Sequence, residues 1–173
     1  MTLCTLRPQV ADDWALLDQL ANDESCSGHF QWFGYRTLTA ERRKYEHTGL
    51  LTADGGALGV VDPVGLLVGR VDWFRSAWGP VASSWCWSIA VAIAADQRGR
   101  GFGTASQRQL TDYLFAHTRA QRVQAWTDIQ NEIEQRALLS AGFEREGVLR
   151  AAQWRAGAWH DQVLYSRLRC PSP

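Results

Sequence analysis

The chemically richest segment of this chain is Arg98-Gly99-Arg100-Gly101-Phe102-Gly103. Three alternating glycines let backbone amides approach a ligand closely, because no Cβ stands in the way. An apolar run, Ser84–Ile93, precedes the segment, and a helical pattern over 104–117 follows it. A helix N-terminus offers unpaired N–H groups and a partial positive charge, so the combination suits a phosphate or pyrophosphate. Arg98 and Arg100 can add charge-assisted hydrogen bonds. The segment is not a P-loop, since no Gly-Lys pair occurs in the chain. Nor is it a dinucleotide fingerprint: counted from Gly99 or Gly101, the sixth position is Thr104 or Ser106.

The elements that must position this loop follow from periodicity and turn residues. A strand over 3–7 leads to a helix over 10–22, with Trp14, Leu17 and Leu20 on one face. A loop runs from Asn22 to Gly28, and an irregular aromatic stretch from His29 to Tyr35. A second helix spans 38–48 and stops at Gly49. Strands at 57–62 and 66–74 flank Asp62-Pro63-Val64-Gly65, a hairpin signal. Ser84–Ile93 reads as a central strand. After the glycine loop come a helix (104–117), a strand (123–128), a helix (131–141) ended by Gly142, and strands at 143–154 and 159–168. The order β-α-α-β-β-β-α-β-α-β-β is a mixed α/β (α+β) arrangement with one mixed sheet of about seven strands and flanking helices. One domain over 1–169 and a short tail, 170–173, are expected.

With the loop placed between a central strand and a helix, the chain resembles the GNAT superfamily of acyl-CoA N-acyltransferases. The family signature Arg/Gln-x-x-Gly-x-Gly/Ala is met by Arg98, Gly101 and Gly103. Asn131 through Gly142-Phe143 resembles the family's Asn…Gly-Phe segment, and Trp159 through Ser166 resembles the ending of the ribosomal-protein N-terminal (Rim-type) branch. The likeness runs from Leu3 to Leu168 and implies acetyl-CoA as cofactor. It also implies that the central strand splays from its neighbour, exposing backbone groups of Val91, Ala92 and Ile93. The loop Arg98, Gly99, Arg100, Gly101, Phe102, Gly103, Thr104 would cradle the CoA pyrophosphate, with Asn131 near the pantetheine. Backbone N–H donors suit a developing oxyanion. Where many relatives carry an acidic tyrosine this chain has Leu138, and where the ribosomal branch has serine it has Glu134.

The implied reaction is attack of a neutral amine on a thioester, which needs a proton acceptor. Glu134, Asp72 and Asp128 are the catalytic candidates, with His29 and Asp161 also able to act directly or through one water. Acceptors of the family bind over the N-terminal helices and their loop, so His29, Trp32, Phe33, Trp87 and Asp161 are expected to line that side, Trp32 foremost. Trp73, Trp85 and Trp154 are placed with them. Aromatic walls with few charges suit an apolar or aromatic amine or a peptide N-terminus, with a cation–π contact to the amine.

Composition sets the outer limits. The 173 residues carry 18 basic and 18 acidic groups, so no broad field for nucleic acid or a membrane surface exists. The segment 20–35 offers only Asp23 and Glu24, too few for a strongly acidic pocket. Cys4, Cys26, Cys86 and Cys170 form no close pair, so no metal site is expected. There is no apolar run of spanning length and no leader-like N-terminus, which points to the cytoplasm. A monomer or a homodimer fits equally. The expected activity is N-acetylation of a primary amine on a small molecule, such as a secondary metabolite or antibiotic, or of a peptide or protein N-terminus. A non-catalytic module of the same fold that sequesters a ligand is the alternative.

Overall fold

The computed structural model describes residues 2–169. The tail 170–173, Cys170 included, lies outside the described residues. The elements are β1 (Thr5–Pro8), α1 (Trp14–Asn22), α2 (Glu24–Ser27), α3 (Thr39–Thr48), β2 (Leu51–Thr52), β3 (Gly55–Val61), β4 (Leu67–Ala77), β5 (Trp85–Ile93), α4 (Phe102–His117), β6 (Arg122–Asp128), α5 (Glu132–Ser140), β7 (Glu144–Arg155) and β8 (Ala158–Leu168). The strands form one sheet in the order β1-β3-β4-β5-β6-β8-β7, with β2 paired to β3 at its side. All pairings are antiparallel except β5–β6.

Local chemistry explains the boundaries. Asp62 Oδ1 accepts from the N–H of Val64 and of Leu66, which fixes the β3–β4 turn. Gly49 ends α3 in the left-handed region at φ 61°. Asn131 caps α5, its Oδ1 accepting from Glu134 N at 3.3 Å. The sequence reading overlooked α2 and β2, four and two residues long, which are too short to carry a period. It also ended β1 too early: Pro8 pairs with Leu58 as the strand's last residue, on the sheet edge where its missing N–H does no harm.

Alternation along the strands divides the sheet into two faces. Val71 and Trp73 of β4, Trp87 and Ile89 of β5, Val123 and Ala125 of β6, and Val163 and Tyr165 of β8 pack with Leu110 and Leu114 of α4 and Leu138 of α5 in the main core. Trp14, Leu17, Ala21 and Leu38 form a second, smaller cluster among the N-terminal helices. Arg70 of β4 pairs with both Glu41 of α3 and Asp72, tying that layer to the sheet.

Candidate active site

The sheet opens at its centre. β5 and β6 are paired only at Trp87–Val123 and Ser88–Gln124. Beyond these rungs β5 continues to Ile93 and β6 to Asp128 without pairing, so a gap widens between them. The Val91 carbonyl faces this gap and accepts from Gln31 Nε2 at 2.6 Å. A strand residue turns its N–H and C=O to the same side, so the Val91 N–H faces the gap as well. The Ile93 carbonyl accepts from Arg98 Nε at 2.9 Å. Ala92, expected among the exposed backbone groups, instead turns its carbonyl onto Gly69 of β4. Alternation requires this, because β4 takes every second residue's backbone.

On one side of the gap lies a cleft of about 600 Å³ lined by Val91, Ile93, Gly99, Gly103, Thr104 and Asn131, among others. α4 begins from Gly101 at φ 84°, with no side chain capping it. The first-turn amides of Phe102, Gly103 and Thr104 therefore have no helical partner and aim at the cleft. A Cβ at Gly99 would meet nothing within 4 Å, and one at Gly103 would meet only Gln107 Nε2 at 4.0 Å. Open backbone, unpaired amides and the helix's positive end fit a pyrophosphate. The two arginines are placed differently from the sequence reading. Arg98 donates to the carbonyls of Ile93, Cys26 and Ser27, bracing the loop against the N-terminal helices rather than standing free. Arg100 donates to Gln97 Oε1, lies 4.9 Å over the Phe102 ring and does not line the cleft. Phe102 buries its ring in the main core, leaving only its backbone for a ligand.

On the other side lies a cavity of about 170 Å³ lined chiefly by Phe30, Phe33, Phe74, Trp126, Gln107 and Gln153. The two spaces share Phe30, Gln31, Val91, Asn131 and Glu134. Glu134 is half-buried and makes no salt bridge among the described residues. Burial pushes its carboxyl up to about 7, with the Gln107 amide pulling the other way. Gln107 itself is buried on α4. Sequence reasoning missed this residue. Its signal was a polar side chain on the same helical face as Leu110, Thr111 and Leu114. Asn131 lines both spaces, but its side chain is engaged: Oδ1 caps α5 and Nδ2 donates to Thr127 Oγ1 at 3.1 Å.

The remaining candidates fall elsewhere. Asp128 lines the smaller cavity but is buried in an ion pair with Arg155 at 2.5 Å, and also accepts from Gln130 N. These partners hold its carboxyl below the usual range in spite of burial, so it is a poor proton acceptor. Asp72 is bound to Arg70 and lines neither space. Asp161 accepts from Ala151 N at 2.7 Å, where Ala151 sits at φ 48° in the irregular part of β7. It shapes the strand and does not pair with Arg155. Trp87 is buried in the main core with its indole N–H donating to Thr118 Oγ1, on the face opposite the cavity. Trp32 stacks edge-on against Tyr35 at 5.3 Å and lines neither space; Phe30, Gln31 and Phe33 of the same loop do. His29 is exposed and borders the larger cleft. Of the nine tryptophans only Trp126 reaches either space. Trp73, Trp85, Trp87 and Trp154 do not, because strand parity or the β7–β8 hairpin turns them away.

Comparison with known proteins agrees with this architecture. The fold is similar to that of the spermidine N-acetyltransferase of Vibrio cholerae solved with CoA and spermine, with a TM-score of 0.77, 19% identity, and coverage of 97% of this chain and 96% of that one. It is also similar to a GNAT-family acetyltransferase of Bacillus anthracis, at a TM-score of 0.74 and 16% identity over 96% and 95% of the two chains. In sequence it is 28% identical over 125 residues to the probable N-acetyltransferase YjcK of Bacillus subtilis (strain 168), covering 72% of this chain and 62% of that protein. The chain thus spans less than two thirds of that relative's length. Residues 4–144 match the model of the acetyltransferase (GNAT) domain, and the chain belongs to the GNAT acetyltransferase family.

Proposed function

We propose that this protein transfers an acetyl group from acetyl-CoA to a primary amine, on a small molecule or a peptide N-terminus, with Glu134 as proton acceptor. One observation carries the reading. The larger cleft, with open backbone at the glycine loop, and the smaller, side-chain-lined cavity meet at the β5–β6 gap, and Glu134 is a carboxylate where they meet that forms no ion pair among the described residues. Acetyl-CoA, when bound, supplies an activated thioester. The α4 N-terminus and the open glycines bind its pyrophosphate. The Val91 N–H, facing the gap, donates to oxygen that gains charge during transfer. Glu134 takes the proton leaving the amine, directly or through one water, and a carboxyl near 7 is matched to that work at neutral pH.

One observation favours a second reading, a module that binds and sequesters a ligand without turnover. Leu138 stands where relatives offer a tyrosine hydroxyl, and it is fully buried. A thiol of ordinary pKa, about 8.5, leaves adequately without such an acid, so transfer remains the better reading. The two are separated by titrating the protein with acetyl-CoA in a calorimeter, then following thiol release across an amine panel. Absence of acetyl-CoA binding sinks both the donor assignment and the enzyme. Binding with no turnover on any amine establishes the sequestering module.

Three further points belong to this reading. Residues 1–169 act as one domain. Placement in the ribosomal-protein N-terminal branch rests on the Trp159–Ser166 segment, which forms most of β8. A cytoplasmic location is supported by the free thiols of Cys4, Cys26 and Cys86, and among the described residues no helix is long and apolar enough to cross a membrane.

A further inference from the structure

The smaller cavity has a chemistry narrower than "an amine". We infer that its acceptor is a primary monoamine carried on a single planar aromatic or compact apolar group, and that it discriminates against polyamines. This rests on the acetyl-transfer reading above for its reaction, and on the cavity itself for its selectivity.

Three observations converge. First, the walls are aromatic. Phe30 and Phe33 from the N-terminal loop face Phe74 of β4 and Trp126 of β6, the last two packed edge to face at 5.9 Å. Edge-to-face pairs present ring surfaces that favour another ring. Second, the space is small. About 170 Å³ is close to the roughly 150 Å³ of an engineered apolar cavity that takes one benzene ring. An aromatic ring with a short amine arm fills it.

Third, the charge inventory admits one ammonium and no second. Two carboxylates line the cavity, Asp128 and Glu134. Asp128 is neutralised by buried Arg155, whose guanidinium also lies 5.4 Å from the Phe30 ring centre. That leaves Glu134, at the mouth shared with the larger cleft. The other polar groups lining the cavity, such as Gln153 and Gln162, are neutral amides. A second ammonium would find no free carboxylate among the lining groups, and the hydration it gives up on entering would go uncompensated.

The test uses binding and turnover together, so that the acceptor class and the transfer reaction can fail separately. Intrinsic tryptophan fluorescence is followed as 2-phenylethylamine, hexylamine, spermidine and an alanine-initiated tetrapeptide are each added to the protein with CoA present. Thiol release is then measured with acetyl-CoA at about pH 8, where more of each amine is neutral. The expected result is saturable quenching by 2-phenylethylamine, with kcat/KM at least about tenfold above that for spermidine, the gain one buried ring brings. Trp126→Ala and, as a second variant, Phe74→Ala should each weaken 2-phenylethylamine binding about tenfold, with melting followed to show that each is folded. Both side chains are partly exposed, so truncation should leave a folded protein. Tighter binding of spermidine or of the tetrapeptide than of 2-phenylethylamine overturns the inference. So does wild-type affinity for 2-phenylethylamine in both folded variants. Binding of 2-phenylethylamine without turnover of any amine upholds the acceptor class and overturns the transfer reading instead. Turnover of spermidine alone does the reverse.

Discussion

The two spaces that meet at Glu134 are built from different materials. The larger cleft offers backbone at its glycine-loop end, with unpaired amides of α4, open glycines and the Val91 edge of β5, beside side chains such as Ile133 and Arg136. The smaller cavity is lined by side chains gathered from α4, α5, β4, β5, β6, β7, β8 and the N-terminal loop. A backbone site tolerates most substitutions except those that add bulk, since the ligand-binding groups are common to all residues. A side-chain site is broken by removal. Under the proposed function the difference also separates their roles, with open backbone for the shared CoA handle and side chains for the acceptor.

Four substitutions test this contrast, from the largest effect to the smallest. Asp128→Ala leaves Arg155 buried without its partner and should lower unfolding free energy by about 3–5 kcal/mol, read from denaturant unfolding. A loss under about 1 kcal/mol would show that the pair does not hold the wall of the cavity. Gly103→Glu adds bulk and negative charge at an unstrained helical position whose Cβ would meet only Gln107 Nε2, at 4.0 Å. It should weaken acetyl-CoA binding at least about hundredfold, or about 2.7 kcal/mol, by calorimetry, with melting unchanged. Gly103 is a cleaner target than Gly101, whose φ of 84° makes any side chain strained.

Glu134→Gln should reduce kcat/KM about hundredfold, the usual scale for a general base, and remove a limb of the pH profile that rises through about 7. The same variant should gain stability at alkaline pH. The native carboxyl sits near 7, above its ordinary value of 4.5, so ionising it costs folding free energy as pH rises through that interval. Glutamine removes that cost. The gain should be about 1–3 kcal/mol at pH 8 and vanish below about pH 4.5. A variant that loses stability at pH 8 would mean that Glu134 is held by an ion pair. Trp32→Ala should matter least, within about 0.5 kcal/mol in acceptor kcat/KM, because Trp32 packs on Tyr35 outside both spaces. A tenfold loss would place it in the acceptor path after all.

Much of this molecule is legible in the chain because it depends on neighbours in sequence. The glycine loop, the strand before it and the helix after it lie within one stretch, and their spacing alone implies an anion site. The β3–β4 hairpin, the Asn131 cap and the stops at Gly49 and Gly142 are likewise local. Glu134 was legible as one candidate among several. What raised it above Asp72 and Asp128 was pairing, and pairing is tertiary: Arg70 and Arg155 take the other two. Arg98 shows the same limit. Its place in the loop is fixed by sequence, yet its guanidinium serves carbonyls more than 70 residues away in the chain.

The sequence by itself determined the order of the longer elements and the anion-binding character of the glycine loop, since these follow from periodicity, turn chemistry and a contiguous motif, and the likeness to the family rests on that motif together with the Asn131–Phe143 segment. Only the tertiary structure decided which aromatic rings line the smaller cavity and which carboxylate there is left without an arginine. Strand parity sends Trp73 and Trp87 to the core and Phe74 and Trp126 to the cavity. Parity relative to a core depends on which face the helices cover. That choice is made by packing across the whole sheet, where no short segment of the chain can record it.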